Sequence, residues 1–550
     1  MNTITLAVSL LVLSTAAQAG TLSYPASVTV NQKTNSGEPS LEVLLPELGL
    51  RVSPQDLKLI GTKKSLLGTH YTYQQMSGSV AIDGAELSLS VSAEGQIIKF
   101  YDATVSVLSK TKSQIPLLSQ DRALGIAWDE LKVDGELMDA PEVKLIYTQS
   151  LAPVYRVRIA TSSPFGYHVI DVNAVSGKIL ALENEALPRF KKATVAKPRL
   201  IGALTDLSGA MARMQNKELS KMLTKSFGGA SGSAQVFDPN PVITLSRTDL
   251  EDASPASEFT QAYVTKTLPE ISQENGVYVL KGSKVIIADF EWPSTAPSTS
   301  ASGHWDFERG ESGFTDAMTY FHIDQSVRYL ESLGFRKDKA IFTDPLSVDS
   351  DGLNGDDNSH YIPSSNRLAF GHGCVDDNED SDVILHELGH AIHHNINSRW
   401  SGGDTGAMGE GFGDYWAASY SLDLPHGMDT HPEWAFKWDG HNDCWPGRNL
   451  NVRFDYKPGK YYGAHQPVGN GVQSDEIWSA PLYKSYLELR QMNVPRSTID
   501  RIVIEAHFGL GSGVTMPQMA QAIVNTAEKL YPKKGYDQVY LKYFKEQKIL

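Results

Sequence analysis

The sequence predicts an α+β protein. Two stretches, Val80 to Phe100 and Tyr155 to Leu182, alternate polar and apolar residues between turn signals. That period of two is the mark of a strand with one buried face. Three others, Ser119 to Leu131, Phe314 to Leu333 and Pro495 to Tyr531, repeat their apolar residues at helical spacing. Around Asp382 to Ile392, apolar residues at Ile384, Leu385, Leu388 and Ile392 indicate a helix buried in a core.

With 550 residues the chain has room for three to four compact units at roughly 150 residues each. Its formal net charge of −15 argues against a nucleic-acid partner, which needs a basic surface. Residues 1–19 read as a signal peptide: Ile4 to Leu13 is mostly apolar, and Ala17-Gln18-Ala19 is the small-x-small pattern cut on export. The expected location is therefore secreted or periplasmic. No later stretch is apolar for long enough to span a membrane. Cys374 and Cys444 are the chain's two cysteines, and export favours a disulfide between them.

Residues 20–190 are expected to form small α+β modules. Asp83-Gly84 and Glu94-Gly95 are turn signals in the first alternating stretch, and Ser119 is placed to cap the helix that follows it. Residues 191–234 carry exposed basic residues and the run Gly228 to Ser233, a linker composition, so a maturation region is expected there. The helix from Phe314 should end at Gly334, and the last helices should be joined by a turn at Gly509 to Gly513.

The chemistry lies in His386-Glu387-Leu388-Gly389-His390. Residues i and i+4 stand one above the other on a helix, about 6 Å apart along its axis, so two imidazoles can converge on one metal ion. Glu387 projects beside them and can reach a water on that metal. A third ligand is needed. A histidine six residues after the second one is ruled out, because that position holds Ile396. Glu410 lies 20 residues after His390, beyond Gly402-Gly403, and a second helix can return it to the pair. Two histidines and a glutamate form a catalytic zinc set that leaves one position open. Asp414, one turn beyond Glu410, is placed to hold the far nitrogen of a liganding histidine. His393 and His394 read as packing or surface residues.

With these residues in place, the chain resembles the thermolysin-type zinc peptidases, most closely their fungalysin-like branch. The resemblance rests on HELGH at 386–390, GAMGEGFGD at 406–414, Val236 to Pro241, His372 to Asp380 and Glu476-Ile477-Trp478-Ser479. It implies a two-lobed catalytic domain at 235–550, a mixed sheet lobe and a mainly helical C-terminal lobe, behind an N-terminal propeptide at 20–190. It implies zinc bound by His386, His390 and Glu410, with Glu387 as general base and Asp414 orienting a histidine. Asn358 and Ser359 fall where the family places the strand that holds the substrate backbone. Relatives carry a histidine just before the Ile-Trp segment to stabilise the transition state, and Val472 to Trp478 has none. His465, Gln473 or Arg448 is expected to supply that hydrogen bond. Asp376, Asp377, Glu379, Asp380 and Asp382 suggest a calcium ion beside the zinc.

The expected activity is endopeptidase hydrolysis of protein and peptide substrates by a zinc-activated water, in a zymogen inhibited by its own propeptide. The alternatives are a zinc aminopeptidase, or a catalytically weak scaffold that binds or inhibits.

Overall fold

The computed structural model describes residues 20–188, except 26, 31, 35, 36 and 107–113, and residues 229–550. The expected signal peptide and most of the expected maturation region lie outside the described residues. Ten helices and several sheets among these residues make the chain α+β. None of the helices is long and apolar enough to cross a membrane.

The first region, to Pro188, is built on a nine-stranded, mostly antiparallel sheet. The first alternating stretch becomes strands Val80–Val91 and Ile97–Asp102, paired with Leu89 opposite Phe100. Their inward residues Leu87, Leu89 and Phe100 share a small core with Leu44 and Leu45. Asp83-Gly84 does not close a hairpin as expected. It stays inside its strand, where the register with Thr69–Ser77 slips. The Gln74 side-chain amide spans the irregularity by donating to Ile82 O at 2.7 Å and Ala85 O at 2.8 Å. Ser119 caps helix Gln120–Leu131 as expected, its Oγ accepting the Arg122 N–H at 3.2 Å.

Strand Ala230–Phe237 begins inside the stretch expected to be linker. It lies in a second sheet between Tyr263–Glu274 and His304–Trp305. The glycine that suggested flexibility has a packing reason: a Cβ on Gly232 would stand 2.4 Å from Gly303 O.

A third sheet runs in the order Leu187–Pro188, Ser359–Ile362, Arg367–Phe370, Leu346–Asp349, Val285–Ile287. Helices Ser312–Ser332 and Ser381–Ile396 pack with it into the largest hydrophobic core. The same core takes in helices Thr405–Ser421, Ser474–Gln491, Arg496–Ala506, Met516–Leu530 and Tyr536–Glu546. It also takes in Tyr101 and Ala103 of the first region. That region is further held at Glu505, whose carboxylate accepts the Ser65 hydroxyl at 2.5 Å and the backbone N–H groups of Leu66 and Leu67 at 2.9 and 3.1 Å.

Helices Ser381–Ile396 and Thr405–Ser421 meet through glycine. A Cβ on Gly389 would stand 2.8 Å from Gly413 Cα, and one on Gly413 2.6 Å from His386 Nδ1. This close approach carries Glu410 to the histidines. Gly389→Ala is therefore expected to lower the unfolding free energy by about 1–3 kcal/mol, as overpacking does. Gly125→Ala, mid-helix with open space at its Cβ, is expected to raise it by about 0.5–1 kcal/mol. Urea midpoints at unchanged slope read both effects.

Candidate metal centre

Helix Ser381–Ile396 starts at Asp380, whose side chain accepts the Asp382 N–H at 3.0 Å. Ile384, Leu385, Leu388 and Ile392 are all buried, so the helix cannot turn its histidines to solvent. His386 and His390 stand with ring centroids 5.0 Å apart and planes at 84°. Donor atoms of His386, Glu387 and His390 lie within 4.8 Å of one another.

The second helix delivers Glu410. Its Oε2 lies 3.2 Å from His386 Nε2 and its Oε1 3.4 Å from His390 Nε2. Behind them Asp414 Oδ1 sits 3.1 Å from His386 Nδ1. An acceptor there places the ring proton on Nδ1 and leaves Nε2 with a lone pair. That lone pair faces a carboxylate oxygen. His390 Nε2 is buried too and makes no hydrogen bond. Donor atoms gathered this closely, out of water, could hold a cation among them. The donor chemistry fits zinc, which takes neutral imidazoles and a carboxylate.

Burial dominates the ionisation of these groups in the protein alone. Burial, the largest influence, pushes the Glu410 carboxyl up to about 8, against the pull of His465 and Arg448. It pushes Asp414 up to about 7, against Arg448. Burial also holds His390 well below its usual range, with His386 and His465 adding to it.

His465 comes from the loop before helix Ser474–Gln491. Its Nε2 lies 3.4 Å from Glu410 Oε2, and its Nδ1 and backbone nitrogen each lie 3.0 Å from the Asp475 carboxylate. Arg448 is buried among the same acids, donating to Asp414 at 2.7 Å and Glu410 at 3.3 Å, and standing 3.7 Å from Asp475. Burial pushes Asp475 up, but the Arg448 charge and His465 outweigh it and hold it below its usual value. Of the three residues expected to supply the missing hydrogen bond, His465 and Arg448 reach the centre. Gln473 instead occupies the N-cap of helix Ser474–Gln491, its backbone N–H held by Glu476 at 2.8 Å. Asp475 was not anticipated. Its one sequence signal is its place beside Glu476-Ile477-Trp478.

Ser359 opens strand Ser359–Ile362, but its hydroxyl turns inward to Asp377, so only its backbone is available along that strand. Asn358 spends its side-chain oxygen on the Ser359 N–H at 2.9 Å. On its outer side the strand pairs antiparallel with Leu187–Pro188, Leu187 opposite Tyr361. Cys374 and Cys444 are bonded, joining the loop before the histidine helix to the loop before Arg448.

The acidic run is mostly spoken for. Glu379 pairs with Arg309, Asp380 accepts from Asn240 and from the Trp438 and Asp439 backbone, and Asp382 holds Ser421 and the Phe436 backbone. Of the five residues suggested for calcium, only Asp377 enters a close group, with Asp357 and Asp439. His393 and His394 are packing residues, as expected: His393 stacks on Phe412 at 4.3 Å, and His394 meets the Tyr361 hydroxyl at 2.9 Å.

His372, at the start of this acidic loop, lies 2.6 Å from Asp351 and 3.1 Å from Asp376. Hydrogen bonding to Asp376 is the largest influence and, with Asp351, raises its pKa from 6.5 to about 9. A raised histidine pKa stabilises the fold fully below the unfolded value, and that contribution fades as pH rises through the folded one. Stability is thus expected to decline between 6.5 and about 9, and His372→Ala to flatten that decline. An imidazole titration by NMR with a midpoint near the ordinary value would contradict this.

No family model matches the chain, and no curated protein matches it. Among solved structures it is similar to the precursor of protealysin, a metalloproteinase from Serratia proteamaculans, at 14% identity and a TM-score of 0.36, over 49% of this chain and 89% of that one. It is similar to the Bacillus megaterium YpeB C-terminal domain at 14% identity and a TM-score of 0.17, over 28% of this chain and 68% of that one. A Clostridium difficile lipoprotein described as putative aligns at 13% identity and a TM-score of 0.12, over 26% of this chain and 90% of that one.

Proposed function

We propose that this protein is an exported zinc endopeptidase, made with an N-terminal region that blocks its cleft. One observation carries the reading: His386, His390 and Glu410 turn their donor atoms toward one another in a buried pocket, with Glu387 beside them. The two-lobed layout of thermolysin-type peptidases belongs to the proposal. It is supported by the three larger sheets gathered before the histidine helix and the five helices gathered after it.

His386, His390 and Glu410 would hold zinc, which when bound would supply Lewis acidity toward the scissile carbonyl and the attacking water. Glu387 takes the proton of that water and returns it to the departing amine. His465 donates toward the carbonyl oxygen as it gains negative charge, and Asp475 fixes its ring for that purpose. Arg448 keeps Asp414, Glu410 and Asp475 in register. Asp414 holds His386 in the tautomer that offers Nε2.

Strand Ser359–Ile362 is the expected seat of the substrate backbone, and an extended peptide adds to such an edge through main-chain hydrogen bonds. Leu187–Pro188 already pairs there. This supports a blocked precursor, released by cutting within residues 189–234.

Glu387→Gln is expected to retain stoichiometric zinc while turnover of a blocked peptide falls by about 10²–10⁴. A chelator should abolish wild-type activity and added zinc restore it. Metal-loaded, processed protein that leaves blocked peptides and unfolded proteins intact would sink the proposal. His465→Ala is expected to lower kcat by about 10²–10³ with KM little changed, the pattern of an interaction made in the transition state. A loss confined to KM would remove His465 from that role.

A further inference from the structure

Gly20 is buried. Its N–H donates to Tyr101 Oη at 2.9 Å, and its carbonyl accepts from Gln518 Nε2 at 2.6 Å. Tyr101 in turn donates to Ser512 O at 2.5 Å, and the Ser512 N–H donates to Glu86. A Cβ on Gly20 would stand 2.6 Å from the Tyr101 ring, so no larger residue fits without displacing it. The next residues, Thr21–Ser23, pair with Ile97–Asp102 and fix the direction of the chain. Independently, Ala17-Gln18-Ala19 marks the bond before Gly20 as the export cleavage point. Two unrelated observations, a cleavage pattern and a socket shaped for glycine, fall on one residue.

We propose that Tyr101, held by Ser512, receives the α-amine of Gly20 and Gln518 its carbonyl, a binding site for an N-terminal glycine exposed when the leader is removed. The inference rests on the export reading above. Hydrolysis adds water across the Ala19–Gly20 bond; the carboxylate leaves with the leader, and the amine stays and takes up a proton. The ligand class is the primary amine of an N-terminal glycine. The amine keeps the hydrogen bond to Tyr101 that the amide had. It gains charge beside Tyr101, where the Glu86 carboxylate already acts on the ring, and Glu86 is itself paired to Arg399 at 3.2 Å.

The site reaches the metal centre through the backbone. Gly511 O, next to Ser512, accepts from Asn397 Nδ2 at 3.2 Å. Asn397 is the C-cap of the helix that carries His386 and His390. The docked Gly20 therefore ties the first region to the end of that helix.

The test uses residues 20–550 carrying Glu387→Gln to prevent self-cleavage, released from a fusion so that Gly20 is the first residue. A twin carries one extra serine before Gly20. An amine-selective acylating reagent at neutral pH, followed by peptide mass spectrometry, reads the labelling rate of the α-amine in native and urea-unfolded protein. A hydrogen-bonded charged amine should label at least about tenfold more slowly when native. Tyr101→Phe should remove most of that protection, and the α-amine of the twin, displaced from Tyr101, should label at its unfolded rate. A Gly20 amine that labels at its unfolded rate would overturn the socket. Terminal sequencing of exported protein tests the cleavage separately. A start elsewhere refutes the export reading and leaves the labelling result to decide the socket.

Discussion

Two imidazoles and the carboxyl of Glu410 are pressed together out of water where two helices meet. The centre of this molecule is built on that constraint. The protein holds the arrangement by force of packing: two helices locked at Gly389 and Gly413, buried on nearly every face. Asp414 then decides which nitrogen of His386 looks inward. Arg448 offsets three acids at once, and a buried arginine with several partners is costly to lose, since each partner is left uncompensated. A surface site with the same residues would relax into water; this one has nowhere to relax to.

The parts legible in the sequence were those set by local geometry. His386 and His390 follow from helical spacing. Glu410 and Asp414 follow from a second helix whose length and start the intervening glycines imply. Ser119, Gly334 and the Gly509 to Gly513 turn mark element ends where the structure has them. What stayed hidden depends on partners far along the chain. Asp475 acquires its meaning only when a loop brings His465 against it. Ser359 looked like a substrate contact, but Asp377 takes its hydroxyl. Gly232 read as slack, but it is the residue that lets a neighbouring strand come close.

The acidic run from Asp376 to Asp382 shows the same limit from the other side. Charge density suggested a cation, because composition cannot reveal which carboxylates already hold backbone N–H groups. Asp380 and Asp382 do, and both anchor the segment around Phe436 and Trp438 against the histidine helix. Buried carboxylates here serve as fasteners between loops that have little regular structure of their own. The bonded cysteines join the same two loops.

The pairing of Leu187–Pro188 with strand Ser359–Ile362 has a kinetic consequence. On the proposed reading, an occupant joined to the same chain would compete with incoming peptides at an effective concentration of about millimolar, whatever the dilution of the protein. Once the chain is cut, the same contact becomes an encounter between two molecules and weakens as they spread apart. On the proposed reading, cutting followed by dispersal would loosen this strand contact by dilution alone, with no change in the surfaces that meet.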